Sequence, residues 1–192
     1  MAGQERDQEQ EEKNRKLYNW PEMNLVPVGI VKSDLKTPTM RSTDDNLENN
    51  HSAESFKKKQ AEIENVLSEI QVFQPWEPLL KGIEAFSHIL VIYWPHLIDP
   101  ERRKLQQVHP MGRKEIPLQG IFATCSPARP NPVLVSAVPL MRREGTRLIV
   151  KGFEAVDQSP VIDIKPYSAH YMKKNDLRFP EWMENINQEL GI

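Results

Sequence analysis

The sequence predicts an all-β domain, either a barrel or a sandwich, with a helical insertion and a short C-terminal helix. The first observation is that short runs of β-branched and aromatic residues recur along the chain, as in strands. The second is that Pro, Gly or charged residues separate these runs, which is the chemistry of turns. The third is that only one internal stretch, residues 52–67, spaces its apolar residues as one face of a helix does.

The N-terminal sixteen residues, "MAGQERDQEQEEKNRK", are almost wholly polar and charged. Such a segment buries too little apolar surface to offset the entropy of ordering it. We therefore expect a disordered arm over residues 1–20, with order beginning near Leu17 or Trp20. We expect the folded domain to span 21–170 and a C-terminal extension to span 171–192.

The first half of the domain contains one predicted strand and the helix. Val26, Val28 and Ile30 alternate as in a strand, and Pro27, which cannot donate to a ladder, places that strand at an edge or a start. The insertion over 52–67 has Ser52 or Ser55 as its candidate N-cap. Its predicted apolar face is formed by Phe56, Ile63, Val66 and Leu67.

Most of the predicted strands follow the helix. They are "EIQVF", "HILVIYW", "GIFAT", "VLVSAV", "RLIVKG" and "PVIDIK". "PWEPLLKGIEAF" has two prolines and predicts a turn with a short helical piece. Gly145 in "RREGTR" predicts a hairpin turn, and a terminal helix is expected after Pro180.

Alternation in the last of these runs makes a further prediction. In "VIDIK", Ile162 and Ile164 are expected on one face and Val161, Asp163 and Lys165 on the other. Asp163 and Lys165 are then neighbours, in a polar cleft or as an ordinary ion pair on a solvated face.

Composition narrows the class of protein. The chain has 192 residues, a net charge of −2 and one cysteine, Cys125, which cannot form an intramolecular disulfide. Glycine-rich dinucleotide and phosphate loops, the G-x-S-x-G elbow and metal-ligand spacings are all missing from the sequence. We therefore expect no metal site. Since no secretory signal or membrane-length apolar run is visible, we expect a cytoplasmic protein.

One stretch, "CSPARPNPV", places three prolines within six residues. Each proline fixes its own φ and restricts the residue before it, so Arg129 is presented from a stiff backbone. Such a guanidinium can clamp a carboxylate or phosphate, or it can pair with a neighbouring Asp in a loop that only connects strands. Cys125 beside it is either an inert small residue or a nucleophile activated by the nearby cation.

Three segments together carry a family resemblance: "GIEAFSHILVIYWPH", "GIFATCSPARPNPVLVS" and "DQSPVIDIKPY", in this order. The chain from about Leu25 to Tyr167 resembles the TsaA-like (TrmO) family. Its characterised member uses S-adenosylmethionine to methylate N6 of threonylcarbamoyl-adenosine at position 37 of tRNA. The resemblance implies a small, usually dimeric β-barrel that binds this cofactor without a Rossmann domain.

The resemblance also implies site residues by position. The cofactor would contact the His96–Leu97 pair and the proline-stiffened loop, with Arg129 on a carboxylate or a phosphate. The full set implied for the cofactor is Met40, Arg41, Ser42, His96, Leu97, Cys125, Arg129, Val135, Lys151, Gly152, Phe153 and Glu154. Methyl transfer to an adenine nitrogen also needs a proton acceptor, for which the predicted catalytic residues are Asp163 and Asp157, with Arg129 or Lys165 holding charge.

Some positions depart from the family pattern. Cys125 stands where the family has an arginine, and Leu134 and Gln158 stand where it has glycines. In place of the extra C-terminal domain of the longer family members, we expect the helical insertion around Ser52 to Leu67. These departures leave two alternatives open, a methyltransferase acting on a different small acceptor and a non-catalytic cofactor-binding module. A tRNA partner would be favoured if the basic clusters converge near the pocket; these are Arg102–Lys104, Arg142–Arg143, and Lys173, Lys174 and Arg178.

Overall fold

The computed structural model of the chain describes residues 12–14, 16–19, 21–38, 53–172 and 175–191. Its strands there are β1 (Gly29–Lys32), β2 (Leu67–Val72), β3 (His88–Tyr93), β4 (Gln107–Val108), β5 (Gln119–Gly120), β6 (Leu134–Glu144), β7 (Arg147–Lys151) and β8 (Pro160–Pro166). Its α-helices between residues 53 and 191 are α1 (Ala53–Glu64), α2 (Ala169–Met172) and α3 (Glu181–Leu190).

Six strands close into an antiparallel barrel in the order β1–β2–β7–β6–β3–β8, while β4 and β5 pair separately. The prediction of a mainly β fold is confirmed, and closure decides between a barrel and a sandwich. Closure also removes the unpaired edges that a short sheet would expose.

The barrel interior is filled by alternate residues of its strands, because successive side chains point to opposite faces. The core comprises Val31, Ile70, Val72, Leu80, Ile89, Val91, Tyr93, Val138, Leu148, Val150, Phe153, Ala155 and Val161. The largest side chain that is fully buried is Phe153, and its ring meets Tyr93 edge to face with centroids 5.1 Å apart. Phe153 follows β7, so residues beyond the strand ends also contribute to the core.

The hairpin between β6 and β7 forms as predicted. Glu144 pairs with Arg147, and Gly145 takes a positive φ of 62° in the two-residue turn between them. A residue with a Cβ would be strained in that conformation.

The predicted alternation in "VIDIK" holds for Asp163, Ile164 and Lys165 but is wrong for Val161, because the register of β8 on β3 shifts by one residue. Ile92 pairs with Asp163 but Tyr93 pairs with Val161, which leaves Ile162 bulged. A bulge reverses the facing of the residues beyond it. Val161 is therefore in the core and Ile164 packs against it, while Asp163 and Lys165 lie outside.

The helical insertion is confirmed but is shorter than the predicted span of 52–67. It ends at Glu64, and Leu67 begins β2, where it pairs with Lys151. Sequence periodicity ran past the helix end because β2 starts with apolar residues of its own. Ser52 lies outside the described residues.

Two predicted strands differ from those observed. β1 starts at Gly29, later than predicted. Val26 stays exposed outside the strand, whereas Val28 N donates to Val161 O of the neighbouring strand. "GIFAT" contributes only Gly120 to β5, and Ile121–Ala123 form a turn of 3-10 helix. By contrast, the predicted short helical piece occurs as 3-10 helix over Gln74–Leu80 and Ile83–Ala85.

The C-terminal helix α3 begins after Pro180 as predicted. It ends at Leu190, and Gly191, whose φ is 77°, is its C-cap. Ile186 is its buried residue, and Glu189 lies 2.5 Å from Arg113 Nη1. At the other terminus, residues 12–14 and 16–18 are helical, while residues 1–11, 15 and 20 of the predicted arm lie outside the described residues. Over the described parts of the chain, no helix is both long and apolar enough to cross a membrane.

Candidate cofactor site at one end of the barrel

Strand register brings the ends of several strands to one end of the barrel, called here the site end. Tyr93, the last residue of β3, pairs with Leu134, the first residue of β6. Lys151 at the end of β7 pairs with Leu67 at the start of β2. Because neighbouring strands are antiparallel, the segments after β1, β3 and β7 and those before β6 and β8 all lie at this end. The β6–β7 turn at Gly145 lies at the opposite end.

The segment after β3 is tied to the segment before β8. Trp94 N donates to Pro160 O over 2.9 Å, and His96 Nδ1 lies 3.3 Å from Ser159 Oγ. Ser159 is buried, whereas Leu97 is half exposed. The predicted pair His96–Leu97 therefore lies at the site end, with the histidine fixed and the leucine facing outward.

The proline-rich loop before β6 is held by its own arginine. Arg129 Nε donates to Ser126 O over 2.7 Å, and Nη2 donates to Thr124 O and, over 3.4 Å, to Ile121 O. These contacts do not include the predicted pairing with a neighbouring Asp, and the predicted role as a ligand clamp stays a prediction. The planar guanidinium instead braces its loop, since its donors are aimed at backbone carbonyls.

Bracing leaves two side chains of this loop facing out. Phe122 is 81% exposed, although the neighbouring Ile121 is buried and its N–H donates to Gln106 O. Cys125 is exposed as well. An aromatic ring held in water by an ordered loop is available for contact with another molecule.

The segment after β7 has alternating roles. Gly152 has a φ of 70° and donates to Val66 O, and Phe153 turns into the core. Glu154 turns outward, and its Oε1 lies 3.2 Å from Ser136 Oγ on β6. Of the predicted residues here, Phe153 presents its side chain to the core, so only its backbone is available to a ligand.

The turn before β8 contains the predicted proton acceptor Asp157. Its Oδ1 accepts from Ser33 N over 3.0 Å, and its Oδ2 lies 2.8 Å from Lys36 Nζ. The Lys36 hydrogen bond, helped by that of the Ser33 backbone, holds the pKa of Asp157 below its usual range. Such a carboxylate is a weak base whose contacts join the segment after β1 to the turn before β8.

Gln158, which follows Asp157, adopts a φ of 64°. This is the left-handed region that glycine enters without strain. The family glycine at this position therefore has a conformational reason, and the chain keeps the conformation with a side chain that fits it less well.

The other predicted acceptor, Asp163, is also paired. Its Oδ2 lies 2.5 Å from Lys165 Nζ, and its Oδ1 accepts from Ile164 N over 2.8 Å. The predicted neighbourhood of Asp163 and Lys165 is confirmed, and it takes the form of an ion pair on the outside of the barrel.

The two basic clusters that lie wholly within the described residues do not converge. Arg103 stacks over Trp94, 5.1 Å from the ring centroid, near the site end. At the opposite end Arg142 pairs with Glu144, and Arg143 donates to Leu80 O and Glu84. Lys173 and Lys174 lie outside the described residues, as do the predicted cofactor residues Met40, Arg41 and Ser42. In the described chain, no three His, Cys, Asp or Glu side chains come together as a metal site.

The site end presents both polar groups and exposed apolar surface. Glu154 and Ser136 offer a carboxylate and a hydroxyl for ribose hydroxyls or a positive charge, and Leu97 and Val135 offer exposed apolar surface for a ring. Ser136 and Tyr93 were not predicted as site residues. The sequence does contain one signal that could have indicated Ser136: it is the polar residue that interrupts the apolar run "VLVSAV".

Comparisons with known proteins agree with this geometry. The sequence model of the tRNA-methyltransferase O N-terminal domain matches residues 50–172. A probable S-adenosyl-L-methionine-binding protein of Methanothermobacter thermautotrophicus is 39% identical over 146 residues, which cover 76% of this chain and 90% of that protein. A tRNA (adenine(37)-N6)-methyltransferase of Mus musculus is 33% identical over 108 residues, covering 55% of this chain and 24% of that protein.

A crystal structure of TrmO superimposes on the chain with a TM-score of 0.60 at 23% identity, covering 83% of this chain and 64% of that one. At this identity the likeness shows the fold alone. The chain thus spans most of the archaeal relative, less than two thirds of the solved structure and about a quarter of the mouse protein.

Proposed function

This chain belongs to the tRNA-methyltransferase O N-terminal domain family, a family of S-adenosylmethionine-dependent methyltransferases, and we propose that it methylates N6 of threonylcarbamoyl-adenosine at position 37 of tRNA. The observation that carries the proposal is the gathering at one barrel end of three family segments: His96–Leu97, the braced loop around Arg129, and Lys151–Glu154. A tRNA substrate is consistent with a cytoplasmic location.

The cofactor would be held by groups that the barrel already orders. Leu97 and Val135 supply apolar surface, Gly152 and Phe153 supply backbone, and Glu154 supplies a carboxylate. The bound cofactor supplies a methyl group on a positively charged sulfur. The chain contributes placement above all, because in-line transfer depends on holding the acceptor nitrogen about 3 Å from the methyl carbon.

Arg129 takes part mainly through its loop. Its Nε and Nη2 are used by backbone carbonyls, so Nη1 is the nitrogen left for a ligand carboxylate or phosphate. Cys125 would line the same loop as a small side chain, in place of the family arginine.

The tRNA would approach the site end. Support comes from Arg103, which stacks on Trp94 there, whereas Arg142 and Arg143 at the other end are paired with carboxylates. With a net charge of −2, the chain would hold RNA through a local patch rather than through its total charge.

A homodimer is part of the proposal. Phe122, Leu118, Leu97 and Val135 each expose more than half of their surface, and they lie on segments beside the site end. Exposed apolar side chains on ordered loops are typical of surfaces that another chain covers. Light scattering tests this, and a monomer that binds the cofactor tightly would contradict a pocket shared between subunits.

The function is tested by incubating the purified protein with labelled S-adenosylmethionine and tRNA that carries threonylcarbamoyl-adenosine. Label in the N6-methylated nucleoside after digestion is the expected result. Matched tRNA with unmodified adenosine at position 37 is the control, and equal labelling of both would overturn the proposed substrate.

A non-catalytic binding module is the second candidate. It is favoured by the likeness to an archaeal protein described as a probable S-adenosyl-L-methionine-binding protein and by the cationic partners of Asp157 and Asp163. It predicts saturable binding of S-adenosylmethionine by calorimetry with no label in tRNA. A methyltransferase for a different small acceptor predicts label in a small-molecule fraction instead.

A further inference from the structure

A chain of three oxygen atoms crosses the site end of the barrel. Glu154 Oε1 lies 3.2 Å from Ser136 Oγ, which lies 3.5 Å from Tyr93 Oη. The three residues come from the segment after β7, from β6 and from β3, so the chain is a product of barrel closure. Its outer member, Glu154, is exposed to solvent, and its inner member, Tyr93, is buried in the core.

The inner end of the chain stays protonated at neutral pH. Burial raises the pKa of Tyr93 to about 12, and the nearby Glu154 carboxylate also raises it. An ionised carboxylate only accepts hydrogen bonds, so Ser136 donates its proton to Glu154. The phenol keeps its own proton and faces Ser136 Oγ, so Glu154 is oriented by a neutral hydroxyl pair.

Glu154 differs in this respect from the two aspartates at the same end. Asp157 is held by the Lys36 ammonium and the Ser33 amide, and Asp163 by the Lys165 ammonium. Over the described chain, Glu154 has no lysine, arginine or histidine within ion-pair distance. Both carboxylate oxygens of Asp157 and of Asp163 accept from a donor, whereas among the described residues Glu154 accepts from Ser136 at Oε1.

Two described groups lie close to the Glu154 carboxylate. Ser136 faces it from β6 and Tyr93 from β3. On its own segment, Asp157 is turned away to Lys36, and His96 beyond β3 is turned to Ser159. Within the described ranges, Glu154 is thus an exposed carboxylate at the site end that forms no ion pair.

We propose that Glu154 is the proton acceptor of the methyl transfer and that Ser136, backed by Tyr93, is its positioning residue. This inference rests on the proposed function. In the transfer that the cofactor would supply, N6 would gain a bond to the methyl carbon, and the carbon–sulfur bond would break with its electron pair left on the sulfur. The proton of N6 passes to Glu154, which later returns it to water, and Asp157 and Asp163 keep their ion pairs throughout.

The main test is Glu154→Gln, which preserves size and the ability to accept from Ser136. We expect kcat to fall at least 100-fold, in the range usual for loss of a general base, and the rise of kcat with pH to flatten. Because glutamine keeps the shape and an acceptor oxygen of Glu154, binding of S-adenosylhomocysteine, followed by calorimetry, should weaken far less than kcat falls, by no more than about tenfold. Glu77→Gln, in the 3-10 helix that follows β2 at the opposite barrel end, is the matched control and should leave kcat and pH profile unchanged.

A readout that needs no cofactor comes from Tyr93. Because the Glu154 carboxylate raises its pKa, Glu154→Gln should shift the titration of the Tyr93 ring, followed by ¹³C NMR, to lower pH. Ser136→Ala should lower kcat more than it raises KM, and Ser136→Thr should restore most of the loss, since it restores the hydroxyl.

Each contrary outcome has a definite meaning. If Glu154→Gln turns over normally, or if its only defect is weak S-adenosylhomocysteine binding, Glu154 is not the acceptor. If Asp163→Asn or Asp157→Asn flattens the pH profile in its place, the role moves to that aspartate. If the wild-type protein methylates no tRNA, the proposed function fails first, and this inference fails with it.

Discussion

Lys36 Nζ and Asp157 Oδ2 lie 2.8 Å apart and join the segment after β1 to the turn before β8. Asp157 also accepts from Ser33 N, so one carboxylate holds two chain segments that are more than a hundred residues apart in sequence. This contact closes the barrel wall beside the candidate site.

The first prediction concerns the pH dependence of this contact. Asp157→Asn should lower the free energy of unfolding by about 1 kcal/mol at pH 7, since a partly exposed ion pair and one hydrogen bond are lost. The pKa of Asp157 is lowered on folding, so its contribution is present above the unfolded value of 3.8 and is lost as pH falls through the folded value. Urea unfolding of both proteins between pH 7 and pH 3 should show the difference closing at the acid end. A constant difference would contradict the assigned cause.

The second prediction compares two phenylalanines. Phe153 is 1% exposed and packs edge to face on Tyr93, whereas Phe122 is 81% exposed. Phe153→Ala should therefore cost about 3–5 kcal/mol of unfolding free energy, and Phe122→Ala should change it by less than about 0.5 kcal/mol. Guanidinium denaturation measures both. Similar costs for the two variants would mean that Phe122 is covered in solution, as in a dimer.

The third prediction concerns Gln158, whose φ of 64° suits glycine. Gln158→Gly should leave stability within about 0.5 kcal/mol, because relief of strain offsets the greater entropy of the unfolded chain. Gln158→Val should destabilise by at least about 1 kcal/mol, since a β-branched residue fits this region poorly. Thermal unfolding of the pair is the measurement, and equal melting temperatures would contradict the assigned backbone conformation.

The fourth prediction tests the brace formed by Arg129. Arg129→Ala frees the carbonyls of Thr124 and Ser126, so the loop over 121–132 should exchange its amide hydrogens at least tenfold faster. Arg129→Lys should restore little, because one ammonium cannot reach the carbonyls that the planar fork reaches together. Hydrogen exchange by mass spectrometry gives the local effect, and the barrel peptides serve as the internal control.

The fifth prediction separates the two basic regions by salt dependence. Arg103→Ala should weaken tRNA binding and reduce the slope of log K against log salt by about 1, whereas Arg143→Ala should leave the slope unchanged. Arg143 is the matched control because its guanidinium is held by Leu80 O and Glu84 at the far end of the barrel. Equal effects of both variants would mean that RNA does not approach the site end.

The sequence by itself determined the β-rich class, the hairpin at Gly145, the helix after Pro180 and the segments that form the site. These depend on local signals: β-branched runs, turn residues and motif spacing all act over a few neighbouring residues. The ends of α1 and β1 were less well predicted, because apolar residues near an element's end can belong to the next element.

Only the tertiary structure decided which side chains face the site. Whether Val161 points inward depended on a bulge opposite β3, and the ion pair of Asp157 depended on the position of Lys36. The chain from Glu154 through Ser136 to Tyr93 exists because closure places β6 between β7 and β3. These are contacts between residues far apart in sequence, whose geometry is set by strand register, and no local pattern specifies register across a closed barrel.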